Sequence, residues 1–403
     1  MTTQAKKLTI AISAAALFCG IAVFLADYLT VSRPAFGPMV QLVRPDGFTV
    51  VWWSSAPQPC QLEIGDTASS ARRITPRREG DNRFVAVVSG LRNGDSLDYR
   101  IVQRSRLGFS YRVASGRGTL QPASDQPLRF VAVGDTGVGT PEQYDVAREI
   151  AAVRPQLVIH MGDLIYPSGE WSDYGRKFFE PFRALLPNVP FCACIGNHDA
   201  ITDAGRPLLT AFELPRNGPE GVYPESAYWF DFGPARFLTF NSCEDEETLR
   251  RNVAPWIEKV FSAPSPPWRV VWFHHPPYTG SKHPPDERIQ RAIVPALERA
   301  EVDVVFCGHN HLYERTKGMR GGRAGPHGDG TCYIVTGGGG QSLYAESASP
   351  PDYIAASYDA DHSFALVELS AESFRLRQIT RRGRLIDDWT LGRTERRAAT
   401  APR

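Results

Sequence analysis

The segment Val302-Asp-Val-Val-Phe-Cys-Gly-His-Asn-His311 begins as an apolar run and ends in two histidines that can bind a metal. Short apolar runs that end at a glycine are typical of buried strands. Four earlier apolar runs also end in residues that can bind a metal: Phe130-Val-Ala-Val-Gly-Asp135, Leu157-Val-Ile-His-Met-Gly-Asp163, Phe191-Cys-Ala-Cys-Ile-Gly-Asn-His-Asp199 and Val270-Val-Trp-Phe-His-His275. The first three of them also contain the glycine. Since ligands of α/β sheets bind beyond the carboxyl ends of the strands, the five motifs predict one shared site.

The sequence around the motifs alternates between strand-like and helix-like patterns. Helical patterns cover 141–153, 246–261 and 287–300, and later strand-like runs cover 331–336, 363–369, 373–379 and 384–390. This alternation predicts an α/β layer structure. Residues 36–122 instead contain strand patterns at 47–54, 83–89 and 97–102 without a convincing helix, which predicts a small antiparallel β-sandwich.

The chain of 403 residues is long enough for two domains. We expect the sandwich at 36–122, a linker at 122–127, the motif-bearing domain at 128–391 and a disordered tail at 392–403. The formal net charge is +1 and no basic stripe is present, so we do not expect a nucleic-acid partner. The pair Cys192 and Cys194 is more typical of buried free thiols than of a metal site, because no second cysteine pair accompanies it.

The N-terminal segment, residues 1–30, has the pattern of an export signal. Lys6 and Lys7 precede an uncharged run at 8–26, which Asp27 ends. This run is long enough to span a bilayer, and no cleavage site is evident, so an uncleaved membrane anchor is favoured over a cleaved signal peptide. Either form predicts a periplasmic, cell-envelope or extracellular protein.

The polar residues of the motifs are mainly hard oxygen donors and imidazoles. They are Asp135, Asp163, Tyr166, Asn197, His274, His309 and His311. This donor set suits iron, zinc or manganese. The spacing of Asp163 and Tyr166 predicts a shared face of a helical turn. An extended backbone would turn His309 and His311 to one side, where they could serve two ions about 3.5–4 Å apart with Asp163 between the ions.

Each motif alone is also typical of a capped turn or a core residue, but all five together resemble the purple acid phosphatases of the calcineurin-like metallophosphoesterase superfamily. The resemblance covers about 128–390, and the preceding sandwich resembles the fibronectin-type-III-like domain of the plant-type members. The resemblance implies a four-layer fold, in which a β-sandwich is flanked by helices. Many calcineurin-like enzymes have Asp-x-His in the first motif, whereas Gly137 stands here and Tyr166 supplies the missing ligand.

The resemblance implies two metal ions with different ligands. The ferric ion would be held by Asp135, Asp163, Tyr166 and His311. The divalent ion (Zn, Mn or Fe) would be held by Asp163, Asn197, His274 and His309.

The implied activity is the hydrolysis of a small phosphate monoester by a metal-bound hydroxide, as in an acid phosphatase. We expect His198 to orient the phosphate or to protonate the leaving oxygen, with Asp199 as its orienting partner. Asp199 could equally be a turn carboxylate. His283 and His275 are secondary substrate-binding candidates, with a solvated loop and simple packing as their respective alternatives.

Two other functions remain open at the level of sequence. A phosphodiesterase on the same dinuclear scaffold would use the same ligands in a more open groove. A non-catalytic envelope adhesion protein would keep the fold and lose the metals, and the complete ligand set argues against it. The sequence makes no prediction of oligomeric state.

Overall fold

The computed structural model describes residues 3–29, 31, 33–54, 60–65, 71–80, 82–92 and 96–393. The first element is helix α1 (Thr3–Leu29), whose last turn packs on the sandwich through Asp27. The carboxylate of Asp27 accepts hydrogen bonds from Leu107 N and Tyr111 Oη, both at 3.2 Å. Among the residues whose side chains the structure describes, no helix is long and apolar enough to cross a membrane. The anchor predicted for 8–26 lies partly outside those residues and stays a prediction.

The N-terminal all-β region contains eight strands among its described residues. They are β1 (Phe36–Arg44), β2 (Gly47–Trp53), β3 (Cys60–Ile64), β4 (Arg72–Ile74), β5 (Arg77–Glu79), β6 (Arg83–Val88), β7 (Ser96–Arg104) and β8 (Ser110–Thr119). Two antiparallel sheets form in the orders β1-β2-β6-β5 and β4-β3-β7-β8. Phe48 and Trp52 of one sheet and Tyr99 of the other lie in a common buried core. The all-β prediction is therefore confirmed, whereas the fibronectin-type-III assignment remains a prediction.

The motif-bearing region alternates strands with helices, as the sequence indicates. Its first half contains β9 (Leu128–Val133), α2 (Pro141–Ala152), β10 (Leu157–His160), β11 (Phe191–Ala193), α3 (Asn197–Ala200), α4 (Arg206–Ala211), β12 (Tyr228–Phe232) and β13 (Ala235–Thr239). Its second half contains α5 (Glu246–Thr248), α6 (Ala254–Ser262), β14 (Trp268–Trp272), α7 (Glu287–Ala292), α8 (Val294–Arg299), β15 (Val304–Cys307), β16 (Tyr313–Arg320), β17 (Arg323–Ala324), β18 (Thr331–Thr336), β19 (Ile354–Tyr358), β20 (Ser363–Leu369), β21 (Ser373–Thr380) and β22 (Leu385–Gly392). Short 3-10 helices cover Trp171–Asp173 and Asp203–Gly205, and π-helical turns cover Gly175–Phe179 and Leu249–Val253.

These strands form two mixed sheets that pack face to face. The first has the order β11-β10-β9-β20-β21-β22, and the second β12-β13-β14-β15-β18-β16-β17, with β19 paired to β16. Phe130 of the first sheet meets Phe237 and Phe306 of the second edge to face, with ring centroids 5.2 and 6.1 Å apart. Helix α2 covers the outer face of the first sheet, and α6, α7 and α8 cover that of the second. The predicted four-layer fold is confirmed.

Parallel pairing sets the direction of the site. Strands β9, β10 and β11 run parallel in one sheet, and β13, β14, β15 and β18 run parallel in the other. All five motifs follow carboxyl ends of these strands, so both sheets contribute to one rim. Backbone bonds join the strand ends, as in Gly134 N to Thr336 O at 3.0 Å and Gly308 N to His274 O at 3.0 Å.

Three sequence-based boundaries change in the structure. The helix predicted at 246–261 is divided by the π-helical turn at Leu249–Val253, and the one predicted at 287–300 is divided at Ile293. The last strand extends to Gly392, and the Arg393 guanidinium lies 3.1 Å from Asp303 Oδ1, so the fold extends past the predicted boundary at 391. The rest of the predicted tail, 394–403, lies outside the described residues.

Aromatic side chains join the sandwich to the motif-bearing region. Phe36 of β1 stacks on Phe179, with ring centroids 4.7 Å apart and ring planes at 11° to each other. The ring of Trp53 lies 5.2 Å from the ring of Phe179. Trp171 meets Phe36 edge to face at 6.0 Å. Packing of this kind removes apolar area from water on both sides, so the two regions stabilise each other.

We predict that Phe36→Ala lowers the free energy of unfolding by about 2–3 kcal/mol, because it removes an aromatic ring that is packed on three others. Urea unfolding followed by tryptophan fluorescence measures the change. Leu385→Ala is the control: its side chain is half exposed, and we expect a change within about 0.5 kcal/mol. Equal stabilities of the two variants would show that the aromatic contact contributes nothing.

Candidate metal centre

The loops that follow the strands are shaped to turn polar side chains inwards. Asp135, Asp163 and His309 have positive φ values of 58°, 53° and 68°. This left-handed region is rarely occupied by residues with a side chain, and it costs free energy that only surrounding contacts can offset. Three such residues at the ends of three strands are typical of a functional site.

Glycines give these side chains the space they need. A Cβ on Gly196 would lie 2.2 Å from Asp163 Oδ1, and one on Gly308 would lie 2.5 Å from Asp135 Oδ2. No other residue type fits at these close approaches without moving the carboxylates. Gly196, which precedes Asn197, and Gly308, which precedes His309, are therefore part of the site.

The first donor group surrounds the hydroxyl of Tyr166. Tyr166 Oη lies 3.1 Å from Asp135 Oδ1, 2.9 Å from Asp163 Oδ2 and 3.1 Å from His311 Nε2. The other ring nitrogen of His311, Nδ1, donates to Ser342 O at 2.9 Å, which leaves the Nε2 lone pair facing the tyrosine.

The second donor group surrounds the side-chain oxygen of Asn197. Asn197 Oδ1 lies 2.8 Å from His274 Nε2 and 2.9 Å from His309 Nδ1. His274 Nδ1 donates to Met161 O at 2.8 Å, so the Nε2 of neutral His274 is also a lone pair. Asp163 Oδ2 is 3.5 Å from His274 Nε2 and 2.9 Å from Tyr166 Oη, so this carboxylate belongs to both groups.

The side chains of the two groups are better suited to binding cations than to forming hydrogen bonds with one another. One tyrosine proton cannot serve two carboxylates and an imidazole lone pair, and Asn197 Oδ1 faces a lone pair on His274 whenever that ring is neutral. Asp135 and Asp163 are almost fully buried, and their ion-pair partners among the described residues are histidines rather than Lys or Arg. Each carboxylate accepts a backbone N–H, Asp135 from His309 and Asp163 from His198, but a buried negative charge stays costly without a cation beside it. The arrangement therefore fits two positive ions that share Asp163.

Two pKa shifts agree with this interpretation. Burial lowers the pKa of His309 to about 3, so its imidazole is neutral and able to bind a metal. Burial, and then the charges of Asp135 and Asp163, raise the pKa of Tyr166 well above its usual value. A cation has to oppose that effect before a phenolate ligand can form, which favours a highly charged ion beside Tyr166. The pKa of His274 moves the opposite way to that of His309: burial lowers it, but the charges of Asp163 and Asp135 raise it above its usual value, so a cation would have to replace a proton on this ring.

Sterics explain why Gly137 accompanies Tyr166. A Cβ on Gly137 would lie 1.8 Å from Leu164 O, and Gly137 O accepts a hydrogen bond from Tyr166 N at 2.9 Å. The backbone that carries Tyr166 therefore fills the place a histidine side chain would need. In this loop arrangement the tyrosine and a histidine at 137 are mutually exclusive.

Two arguments from residue spacing are wrong in detail. Residues 163–166 form a loop rather than a helical turn, and Tyr166 reaches Asp163 because Asp163 has left-handed backbone angles. His309 is not extended either, since Asn310 N bonds to Gly308 O at 2.8 Å in a tight turn. The turn directs His309 to Asn197 and His311 to Tyr166, which places the two histidines in different donor groups.

The structure contradicts the predicted pairing of His198 with Asp199. His198 Nδ1 donates to Pro167 O at 2.6 Å. The Asp199 carboxylate accepts from Leu164 N at 2.9 Å, Ile165 N at 3.1 Å and Gly196 N at 3.1 Å, so it holds the loop beneath Tyr166. Burial raises the pKa of Asp199 to about 7. Asp199 is a turn carboxylate, the alternative that the sequence left open.

The outer histidines lie at the edge of the second donor group. The ring of His275 is 4.9 Å from His274 and 4.7 Å from His309, and its Nδ1 is 2.9 Å from Ser242 Oγ. The ring of His283 is 4.8 Å from His309. The structure therefore brings both near the site, and their roles in substrate binding remain predictions.

Other histidines and one tyrosine complete the surroundings. His160 is buried and 3.0 Å from Thr136 Oγ1, and burial lowers its pKa to about 3, so it is a neutral core residue. Sequence reasoning missed Tyr344, whose ring stacks on His311 with centroids 4.1 Å apart. Tyr344 lies after the glycine run 337–340, outside every motif, and no local signal in the sequence marks it.

A family model provides an independent comparison. The calcineurin-like phosphoesterase model matches residues 128–313, which contain all five motifs. Residues 128–313 therefore form a calcineurin-like phosphoesterase domain.

Sequence relatives that match between 60% and 81% of the chain extend the comparison. Fe(3+)-Zn(2+) purple acid phosphatase 12 of Arabidopsis thaliana is 25% identical over 367 residues, which are 81% of this chain and 74% of that protein. Tartrate-resistant acid phosphatase type 5 of Oryctolagus cuniculus is 23% identical over 282 residues, 60% of this chain and 84% of that protein. Probable inactive purple acid phosphatase 24 of Arabidopsis thaliana is 25% identical over 305 residues, 62% of this chain and 46% of that protein.

A solved structure shares the fold. The purple acid phosphatase PPD1 from yellow lupin seeds superposes with a TM-score of 0.75 at 19% identity, covering 88% of this chain and 74% of that one. Because this coverage exceeds the share of the chain made up by residues 128–403, the likeness extends into the region ahead of the calcineurin-like domain.

We predict that Asp199→Asn lowers the free energy of unfolding by about 1–3 kcal/mol, because the amide group would face backbone N–H donors in place of a carboxylate oxygen. His198→Ala removes a partly exposed side chain, and we expect a smaller loss from it. Urea unfolding of the chelator-treated protein measures both. An unchanged stability of Asp199→Asn would contradict the structural role of Asp199.

Proposed function

We propose that this protein hydrolyses phosphate monoesters at a dinuclear Fe(III)–M(II) centre in its calcineurin-like domain. The observation that carries the proposal is the pair of donor groups that share Asp163, one built around Tyr166 Oη and the other around Asn197 Oδ1. The relatives named for iron and zinc or for acid phosphatase activity support the same reaction.

The first donor group would hold the ferric ion and the second the divalent ion. Bound ions of this kind neutralise phosphate charge and lower the pKa of a coordinated water. The hard anionic oxygens of Asp135, Asp163 and Tyr166 suit Fe(III). Asn197, His274 and His309 suit several divalent ions, so the choice among Zn, Mn and Fe is open.

His198 is the best placed residue for the phosphate and the leaving group. Its Nδ1–H donates to Pro167 O, which directs Nε2 away from that carbonyl, and its ring is 4.5 Å from the ring of Tyr166. Because the ring is partly exposed, its protonated form, in which Nε2 also carries a hydrogen, can donate a hydrogen bond to a phosphate oxygen or a proton to the leaving oxygen. His283 and His275 would contact the substrate from the side of the divalent ion.

We predict that the iron-loaded protein has a visible absorption band from charge transfer between phenolate and Fe(III), and that Tyr166→Phe abolishes the band. Absorption spectra with metal analysis of both proteins measure this. Tyr344→Phe is the matched control, since that ring stacks on His311 and its loss of a hydroxyl should leave the band in place. A wild-type protein that is active with zinc alone and has no band would contradict the ferric assignment and leave phosphoester hydrolysis standing.

A phosphodiesterase on the same scaffold is the second candidate. We predict a kcat/KM for an aryl phosphate monoester at least about tenfold above that for the alkyl aryl diester with the same leaving group. The reverse order would establish the diesterase. A metal-loaded protein that hydrolyses neither the monoester nor the diester would establish the non-catalytic alternative. The chelator-treated protein is the control for both substrates.

We also propose that the protein is exported, on the basis of the lysine pair and apolar run at its N-terminus. The all-β region at 36–122 would be a fibronectin-type-III-like module that supports the catalytic domain through the aromatic contacts of Phe36 and Trp53.

A further inference from the structure

The residue between the two histidines of the last motif, Asn310, is fully buried and holds the loop that carries His283. Asn310 Oδ1 accepts a hydrogen bond from His283 N at 3.2 Å, and Asn310 Nδ2 donates to His283 O at 3.1 Å. One amide therefore satisfies both backbone groups of the same residue, as a neighbouring strand would.

The orientation of this amide is fixed by its partners. The backbone N–H of His283 can only donate, so it has to face Oδ1, and the carbonyl of His283 can only accept, so it has to face Nδ2. Nδ2 also donates to Thr279 Oγ1 at 3.0 Å. Both polar atoms of the Asn310 side chain are thus used on the loop 279–283, and neither is left for the donor groups of the metal centre.

A second residue of the same segment holds the other end of the loop. Glu314 is almost fully buried, and its Oε2 accepts from Thr279 Oγ1 at 2.5 Å. Its two carboxylate oxygens also accept from Gly280 N at 3.0 and 3.1 Å. The segment 309–314 therefore carries two proposed metal ligands and both anchors of the loop.

Asn310 sets where the His283 ring lies. That ring is 4.8 Å from His309 and 5.2 Å from Tyr344, at the edge of the second donor group. Because Asn310 is the immediate neighbour of His309, a small displacement of the motif moves the proposed ligand and the loop together. A loop histidine without such an anchor would sample many positions relative to the ions, and ordering it on binding would weaken the substrate complex.

We propose that Asn310 is a positioning residue: it fixes the loop 279–283 so that His283 meets the substrate phosphate in a preset place relative to the metal ligands. The proposal rests on the substrate contact of His283 in the proposed function. Asn310 itself touches neither metal nor substrate.

The test is the variant Asn310→Asp, alone and combined with His283→Ala. The aspartate keeps an oxygen that accepts from His283 N. It loses the two hydrogen bonds that Nδ2 donates, to His283 O and to Thr279 Oγ1, and places an oxygen beside those two acceptors. We expect KM for an aryl phosphate monoester to rise about tenfold with kcat within about twofold of the wild-type value. We expect no further rise of KM when Asn310→Asp is added to His283→Ala, because the two changes remove one interaction.

The chain offers a matched control in Asn217. Asn217 Oδ1 accepts from Trp229 N at 3.1 Å and Asn217 Nδ2 donates to Trp229 O at 2.8 Å, which is the same double contact on another backbone residue. Asn217→Asp should leave KM unchanged. The metal content and the visible band of Asn310→Asp should equal those of the wild type, because the side chain at position 310 contacts the loop 279–283 and none of the proposed metal ligands.

The outcomes separate the two proposals. A wild-type KM in His283→Ala would overturn the substrate contact of His283, and with it that part of the proposed function. A raised KM in His283→Ala with a wild-type KM in Asn310→Asp would overturn the positioning role alone. Additive rises in the double variant, or loss of iron from Asn310→Asp, would show that Asn310 serves the ligand motif itself. If Asn310→Asp does not fold, Asn310→Ser replaces it in the test, because the serine side chain is uncharged and too short to reach His283.

Discussion

The rest of the structure depends on one electrostatic constraint. Carboxylates, imidazoles and an amide oxygen are brought together in a buried site that holds fewer hydrogen-bond donors than acceptors. Asp135, Asp163 and His311 surround a single tyrosine hydroxyl, and Asn197 Oδ1 lies beside nitrogens of two imidazole rings. Such an arrangement is unfavourable for the side chains by themselves and favourable around cations. The fold must therefore hold these groups together against their own repulsion until a cation compensates them.

The two sheets supply that rigidity. Strand ends from both sheets deliver ligands to the rim, and backbone hydrogen bonds join those ends to one another. Positive φ values at Asp135, Asp163 and His309 store strain at the same places. The strain persists because a packed core over-determines the loops, and because glycines such as Gly196 and Gly308 let the backbones approach closely.

Support of the site runs through backbone atoms more than through side-chain pairs. Asp199 holds three backbone amides beneath Tyr166, His198 donates to the Pro167 carbonyl, and Asn310 holds His283 by its N–H and C=O. A side chain that grips backbone fixes a whole loop, whereas a pair of side chains fixes only two rotamers. The loops that carry Tyr166 and His283 are positioned in this way.

The sequence by itself predicted the alternation of strands and helices, the all-β region ahead of it and the seven candidate donors, because strand periodicity and the terminal polar motifs are local signals. The four layers followed from the family resemblance of those motifs. Local patterns could not determine which donors meet. The helical-turn argument for Tyr166 and the extended-strand argument for His309 and His311 were wrong, since left-handed residues and tight turns redirect the side chains. Only the tertiary structure decided that Asp199 bonds to a loop and not to His198. It also showed that the backbone of the Tyr166 loop leaves no room for a side chain at Gly137. Tyr344 contacts His311, and Asn310 contacts His283, in ways that no local pattern indicated. These contacts join residues that are distant in sequence, and their partners are set by the packing of the two sheets.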